Sequence, residues 1–241
     1  MRNLAVRPQH LAPSVDFDGT DDYLSRGADL TGNADGKAGT VSLWFRLDGG
    51  DAATQIMLRA GTGFIQVHRA SDNKLRVSGV NAAVSNILLM DSTGTYTAGA
   101  AWHHLLASWN LAATVGHLYV DGVNVIDTGT DVFTNDTIDY TQTNFYVGAN
   151  QVPASFFNGC LAEVYLNLTQ YLDLSLEVNR SRFRTPGGKP VSLGPTGALG
   201  TGTRPIIYLR GPAASFNTNL GSGGNFTVNG GGLANGSSAP S

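Results

Sequence analysis

The feature that most constrains this chain is a two-residue alternation of apolar and polar side chains along most of its length. Between Thr40 and Leu47 every second residue is a large apolar one. Side chains two apart on a strand share a face, so this pattern predicts a strand with one buried face. The same reasoning predicts strands over residues 63–69, 73–80, 102–109, 116–120, 123–126, 144–147, 159–166 and 205–210. Asp121-Gly122, between two of them, is a strong hairpin signal.

Glycine and charge content agree with a sheet-rich fold. The 241 residues include 31 glycines and only 14% charged residues, whereas soluble domains average about 7% glycine and about 25% charged residues. The low charge argues against helices with salt-bridged faces, and glycines supply the turns between short strands. The apolar fraction of 41% is high enough for a packed core, which excludes a disordered chain.

One segment departs from the alternation. Leu172, Leu176 and Phe183 recur at helical spacing, which predicts a short amphipathic helix over about 171–184. The domain organisation that follows has four parts: an extended arm over 1–13, a sandwich over 14–184, a Gly/Pro connector over 185–204, and a returning strand with a Gly/Ser/Asn-rich tail over 205–241.

Four motifs occur in order between residues 14 and 166. They are VDFDGTDDY (15–23), VSLWF (41–45), WHH (102–104) leading to LYVDG (118–122), and FFNGCLAEV (156–164). Together they resemble the laminin-G-like, concanavalin-A-like lectin/glucanase superfamily. The resemblance implies an all-β fold, a two-sheet antiparallel jelly-roll sandwich, here with one short C-terminal helix and a Gly-rich extension. That superfamily includes lectins, glucanases, adhesion modules and virion proteins, so the fold alone does not choose the function.

The segment from 183 to 226 resembles the C-terminal extension of such domains in tailed-bacteriophage structural proteins. This second resemblance implies a non-enzymatic virion protein, a capsid decoration or tail-associated component. The partners it implies are capsid or tail structural proteins, in a homo-oligomer or another symmetric assembly, with host-surface carbohydrate as an added ligand. The alternatives are a carbohydrate-binding lectin or adhesion module, and a glycan-active hydrolase that lacks the usual glutamate cluster.

Charge and targeting signals bear on location. Fifteen Lys and Arg against 18 Asp and Glu give a formal net charge of -3, so we expect no nucleic-acid partner. The N-terminal residues lack the apolar run of a signal peptide, and no stretch is apolar enough to insert into a membrane. We therefore expect synthesis in the host cytoplasm and a final location in the virion.

The sequence has few residues of the types that catalyse glycoside hydrolysis. The only glutamates are Glu163, which we expect on the solvent face of a strand, and Glu177, 14 residues later. Glycosidases need two carboxyl groups across one cleft, and the strand cluster that laminarinase-type relatives carry is missing. Cys160 lies within an apolar alternation and is expected to be a buried, inert thiol. We predict no catalytic residues and no organic cofactor.

Most candidates for a metal site lie in the acidic run of residues 16–22, which ends at Asp22. Asp16, Asp18 and Asp21, together with Asp121, are candidate calcium ligands because Ca²⁺ takes carboxylate oxygens from loops. Capping of turns by these aspartates is the alternative interpretation.

Sugar binding calls for an exposed aromatic ring beside side chains that form hydrogen bonds. Tyr96, Tyr140, Asn150 and Gln151 are candidates, with Tyr146, Phe156 and Asn144 nearby in sequence. Packing of these rings in the core or at its rim is the alternative.

Overall fold

The computed structural model describes residues 11–152 and 154–240, and these form two antiparallel sheets packed face to face. Its strands are β1 Val15–Asp18, β2 Tyr23–Arg26, β3 Ala38–Leu47, β4 Gln55–Ala60, β5 Ile65–Arg69, β6 Lys74–Val80, β7 Asn86–Thr95, β8 His103–Asn110, β9 Val115–Val120, β10 Val123–Asn124, β11 Val132–Phe133, β12 Phe145–Val147, β13 Asn158–Asn167, β14 Ile207–Leu209, β15 Thr227–Asn229 and β16 Ala234–Asn235. Helical structure in these residues is confined to α1, Glu177–Arg180, and two 3₁₀ turns, Leu111–Ala113 and Ala213–Ser215. The first ten residues of the predicted N-terminal arm lie outside the described residues.

The two sheets have the strand orders of an antiparallel sandwich. The first sheet runs β10-β9-β8-β3-β13-β1-β16, and β14 also pairs with β13. The second runs β11-β7-β6-β5-β4-β12-β2-β15. Asp121 and Gly122 form the tight turn of the β9–β10 hairpin, both with positive φ, as a two-residue hairpin requires. The predicted all-β, two-sheet jelly-roll fold is confirmed. None of the helices within the described ranges is long and apolar enough to cross a membrane.

The alternating apolar residues of both sheets meet in one core. Leu43, Leu105 and Trp109 enter it from the first sheet, and Leu58 and Val67 from the second. The fully buried Trp109 indole donates its Nε1–H to the Tyr140 hydroxyl at 2.8 Å. At Gly39 a Cβ would overlap the Trp109 ring, so that position in β3 accepts no larger side chain without rearrangement.

A second apolar cluster covers the outer face of the first sheet. Tyr165 of β13 and Tyr208 of β14 point to that face, and Phe183 packs edge-on against Tyr165 with ring centroids 5.3 Å apart. The chain from 172 to 193 lies over these rings. The cluster comprises Leu106, Tyr119, Tyr165, Leu172, Leu174, Phe183, Leu193 and Tyr208.

The prediction of a helix over about 171–184 is wrong in extent, because the helix spans only Glu177–Arg180. Leu172 and Leu174 are both buried in the cluster on the outer face, two residues apart on a non-helical segment. A helix this short is not stable by itself, so packing against the sheet determines the conformation of the segment.

The expectation that Glu163 faces solvent is also wrong, since it is only 3% exposed. It has φ +50° at a bulge in β13, where the register with β3 shifts between Ala162 and Tyr165. Its Oε2 accepts a hydrogen bond from the Tyr208 hydroxyl at 2.5 Å. Cys160 is buried as predicted, and burial raises the pKa of its thiol to about 12.

The chain beyond residue 204 adds strands to both sheets. The strand predicted over 205–210 is present as β14, which pairs with Val164–Leu166 of β13. β15 pairs with β2 at the margin of the second sheet, and β16 pairs with β1 at the margin of the first. β15 and β16 are therefore edge strands, one beside β2 and one beside β1.

Replacing Tyr140 by phenylalanine should destabilise the core. The change leaves the buried Trp109 Nε1–H without its acceptor, which costs about 1–3 kcal/mol of unfolding free energy. Denaturant unfolding measures this loss. Tyr96→Phe is the matched control, because its half-buried hydroxyl has no hydrogen bond among the described residues; an equal effect of the two changes would contradict the prediction.

Stability should fall in mild acid because of His104. This side chain is buried, stacks on Trp44 at 4.6 Å and lies 2.9 Å from the Ser42 hydroxyl. Burial lowers its pKa from 6.5 to about 3, so between these values the unfolded chain binds the proton more tightly. The stabilisation is complete above pH 6.5 and is lost as the pH falls toward 3.

A His104→Gln variant should therefore lose about 3 kcal/mol less than the wild type when the pH drops from about 6.5 to about 4. Denaturant unfolding at a series of pH values gives both slopes. The comparison of slopes remains valid even if the substitution lowers stability at every pH. Parallel pH profiles for the two proteins would refute the prediction.

Candidate functional site

The outer face of the second sheet carries a cluster of three aromatic rings. Tyr23 of β2 lies between Tyr146 of β12, with ring centroids 6.3 Å apart, and Phe156, at 6.2 Å. All three side chains are half-buried. We call these three residues the aromatic cluster.

Strand alternation explains why these rings face outward. Tyr146 lies between Phe145 and Val147, both fully buried in the sandwich core, so its own side chain points to the opposite face. Leu24 and Phe157 occupy the core in the same way beside the other two rings. A neighbouring contact holds the segment that contains Phe156, since the carbonyl of Ser155 accepts the Ile56 N–H at 3.0 Å.

A row of polar residues crosses the same face beside Tyr146. The register of five neighbouring strands aligns Ser25, Tyr146, Arg59, Gln66 and Ser78. All five are half-buried. The hydroxyl of Ser25 and the guanidinium of Arg59 therefore flank Tyr146, and the face offers both donors and acceptors of hydrogen bonds.

The Arg59 guanidinium is held in place by the second sheet itself. It donates from Nη1 to Gln66 Oε1 at 2.8 Å, from Nε to the Gly61 carbonyl at 3.2 Å, and from Nη2 to the Thr62 carbonyl. Burial lowers the pKa of this guanidinium, but an arginine remains charged at neutral pH. None of the ion pairs among residues 11–152 and 154–240 involves Arg59. The row thus carries a fixed positive charge.

His68 lies beside Gln66 and is only 5% exposed. Gln66 Nε2 lies 2.7 Å from its Nδ1, and the neighbouring Arg76 and Asp91 form a bidentate ion pair at 2.5 and 2.8 Å. Burial, reinforced by the charge of Arg76, lowers the pKa of His68 to about 4. His68 is therefore neutral near pH 7, and its ring can accept the hydrogen bond from Gln66.

The predicted sugar-binding residues fall in different places. The prediction that Tyr140 is an exposed sugar-binding ring is wrong, because the ring is fully buried and its hydroxyl accepts from Trp109. Tyr96 packs near Phe45 and His103, with ring centroids 6.5 and 5.3 Å away. This position agrees with the alternative interpretation, in which the ring packs at the rim of the core.

Asn150 and Gln151 lie in the loop before Phe156, and each has a buried side-chain oxygen without a hydrogen-bond partner among the described residues. Their role in sugar binding stays a prediction.

The four candidate calcium ligands lie at three separate places. Asp18 and Asp21 belong to one group, in which their carboxylate oxygens and one of Asp22 all lie within 4.8 Å of one another. Asp16 belongs to a second group with Asp48 and Cys160. A single ion therefore cannot bind the four residues that the sequence nominated.

Asp121 lies in the β9–β10 turn and is part of neither group. Its Oδ2 is 2.7 Å from His103 Nδ1, and its Oδ1 accepts the backbone N–H of His104 at 2.9 Å. Burial would raise the pKa of Asp121, but these hydrogen bonds lower it overall. The carboxylate thus links the β9–β10 turn to β8.

The two glutamates lie in dissimilar surroundings. Glu163 is buried under the cluster on the first sheet, where it accepts from Tyr208, and Glu177 is exposed at the start of α1. A glycosidase needs its two carboxyl groups to face one sugar ring across a cleft. These glutamates do not provide that arrangement.

Sequence reasoning missed Tyr23, Arg59 and Gln66. Each stands next to a residue of the sandwich core, namely Leu24, Leu58 and Val67, so alternation alone assigns them to an outer face. Their assembly depends on which strands are neighbours: β12 lies between β2 and β4 in the sheet, although it is far from both in the chain order.

Comparisons with known proteins agree with this fold. The chain matches a laminin-G-type family model of the concanavalin A-like lectin/glucanases superfamily over residues 18–167. A search of curated protein sequences finds no match.

Solved structures with the same fold include a Bacteroides ovatus protein provisionally named a carbohydrate-binding protein, with a TM-score of 0.66 and 13% identity. The match covers 97% of this chain, which spans 62% of the length of that one. The heptameric SAP-like pentraxin of Limulus polyphemus has a TM-score of 0.55 and 15% identity, with 93% of this chain and 94% of that chain covered.

The family match covers more than half of the chain, including the strands that carry Tyr23, Arg59 and Tyr146. The two solved structures share only 13 and 15% sequence identity with this chain, so they show a common fold and nothing more. The chain belongs to the concanavalin A-like lectin/glucanase superfamily.

Proposed function

We propose that this protein is a non-catalytic carbohydrate-binding module that binds sugar on the outer face of its second sheet. The observation that carries the proposal is the aromatic cluster beside the polar row, on a face that no second apolar cluster of the described residues covers. The outer face of the first sheet, by contrast, is covered by the chain from 172 to 193.

Sugars suit such a surface for a simple physical reason. One face of a pyranose ring presents C–H groups that pack against an aromatic ring, while its hydroxyl groups need hydrogen-bond partners around the rim. Tyr146 supplies the ring, and Ser25 and Gln66 supply hydroxyl and amide groups on the neighbouring strands. The rigid strands fix these groups before a ligand arrives, which lowers the entropy cost of binding.

The Bacteroides ovatus neighbour supports the same proposal, because it shares the fold and was named for carbohydrate binding. Glu163 and Glu177 lie in dissimilar surroundings, which favours binding over hydrolysis. Location in a virion, with capsid or tail partners and a symmetric assembly, stays a prediction made from the sequence.

Glycan binding should depend on Tyr146. A glycan array identifies the best ligand, and calorimetric titration with that glycan measures its Kd. Tyr146→Ala removes the outward ring without touching the core, so we expect about tenfold weaker binding from the lost stacking.

Tyr171→Ala is the matched control for this experiment. Tyr171 is another half-buried tyrosine, stacked on His117 of the first sheet with centroids 5.8 Å apart, and its loss should leave the Kd unchanged. The proposal fails if the array gives no ligand, or if Tyr146→Ala binds the best ligand as tightly as the wild type.

A further inference from the structure

The last part of the chain contains no acidic residue. All 18 Asp and Glu lie between residues 16 and 177, whereas residues 178–241 hold six of the 15 Lys and Arg. The formal net charge of -3 therefore divides into +6 for this segment and -9 for the rest of the chain. Such an asymmetry along a chain points to an interaction surface.

Four of these cations lie in the segment that covers the first sheet. They are Arg180, Arg182, Arg184 and Lys189, and we call them the basic strip. None of the four takes part in an ion pair within residues 11–152 and 154–240. The Arg184 Nε is buried there without a hydrogen-bond partner, which is costly unless a further group binds nearby.

The acidic side chains near the basic strip are mostly engaged elsewhere. Asp121 lies 2.7 Å from His103, Asp173 caps its own turn, and Glu163 is buried. Glu177 is exposed at the start of α1. One free carboxylate does not balance four cations, so the strip carries a net positive charge.

Apolar side chains next to the strip indicate what kind of partner it fits. Leu176 and Val178 belong to the same segment and are 52 and 47% exposed. Arginine together with apolar groups is typical of protein interfaces, whereas a polyanionic chain is bound mainly through its charged groups. A long polyanion would also extend from the strip onto a body of charge -9. The combination favours an acidic protein surface.

This chain presents such a surface itself. A concavity of about 240 Å³ is lined by Asp35, Asp136 and Asp139, and Ala82 and Ala83 add apolar groups to it. We call it the acidic concavity. Its three aspartates take part in none of the ion pairs of the described residues.

The acidic concavity is negatively charged at neutral pH. Hydrogen bonds from the Asn81 side chain and the Thr137 N–H lower the pKa of Asp136. The charge of Lys37 lowers it further, but one ammonium group does not balance three carboxylates. The concavity and the basic strip are therefore complementary in charge, and each includes apolar groups.

The two surfaces lie toward opposite ends of β3. Asp35 stands just before β3, where Gly36 bridges to Ile138. Arg184 lies against Gly122 of the β9–β10 turn, and that turn is bonded to β8 beside the last residues of β3. The ten residues of β3 span about 33 Å. Arg184 therefore cannot reach the concavity of its own molecule.

We propose that copies of this chain associate head to tail, with the basic strip of one copy against the acidic concavity of the next. Because the two surfaces differ, the contact is heterologous and builds a ring or a filament rather than a two-fold dimer. Charge complementarity makes the association sensitive to salt. The contact does not depend on the proposed sugar function.

Sedimentation velocity of the full chain at several protein concentrations tests the proposal. In about 20 mM NaCl, where charges interact over roughly 20 Å, the mean mass should rise with concentration. In about 500 mM NaCl, where that length is roughly 4 Å, association should be at least tenfold weaker. A monomer at every concentration in low salt, or association that salt does not change, would overturn the proposal. So would a monomer that binds dextran sulfate instead.

Mixing two variants tests whether the contact joins unlike surfaces. Arg182→Gln/Arg184→Gln alters the strip, and Asp136→Asn/Asp139→Asn alters the concavity. Each variant alone should associate at least tenfold more weakly than the wild type, because every contact then contains one altered surface. An equimolar mixture still allows one intact contact, so it should form a 1:1 dimer and nothing larger. A mixture that stays monomeric contradicts the head-to-tail arrangement.

Arg204→Gln is the matched control. Arg204 is another cation of residues 178–241, but it lies outside the strip and donates to the carbonyls of Leu220 and Gly221. This variant should associate like the wild type. Circular dichroism checks that each variant folds, and if the double strip variant does not, Lys189→Gln tests the strip alone. Wild-type association of the folded strip variant would refute the proposal.

Discussion

The packing of the chain from 172 to 193 on the first sheet determines which surface this molecule has available. Tyr165 and Tyr208 project from that sheet and would otherwise be exposed, and Phe183 and Leu193 bury them. A sandwich has two broad outer faces, and this packing occupies one of them. The second sheet is left as the face on which half-buried rings and polar groups meet solvent.

Alternation links that face to the core. The core residues Phe145, Leu58 and Val67 belong to the same strands as the outward Tyr146, Arg59 and Gln66, one position apart. The rigidity of the packed interior is therefore passed directly to the outer groups. A ligand that binds them meets a surface already fixed by the packing of the sandwich.

The sequence predicted the fold class and most strands because their apolar pattern has period two. It missed β4 and β7, in which runs of consecutive residues are buried and so do not alternate. It extended α1 because Leu172 and Phe183 happen to fall at helical spacing. The candidate site was harder to predict. Tyr140 and Tyr146 are six residues apart and look alike in sequence, yet only strand pairing reveals that one is core and the other faces outward.

The C-terminal segment lies beside both the polar row and the turn between β1 and β2. β15 pairs with β2, which places Thr227 opposite Ser25 at the end of the polar row and brings Gly231 to the acidic turn. Asp22 immediately precedes Tyr23, so the acidic turn leads directly into the strand that carries one ring of the aromatic cluster. The family match ends at residue 167, before any of this segment. Properties that depend on the turn after β15 therefore belong to this chain's own extension rather than to the matched part of the fold.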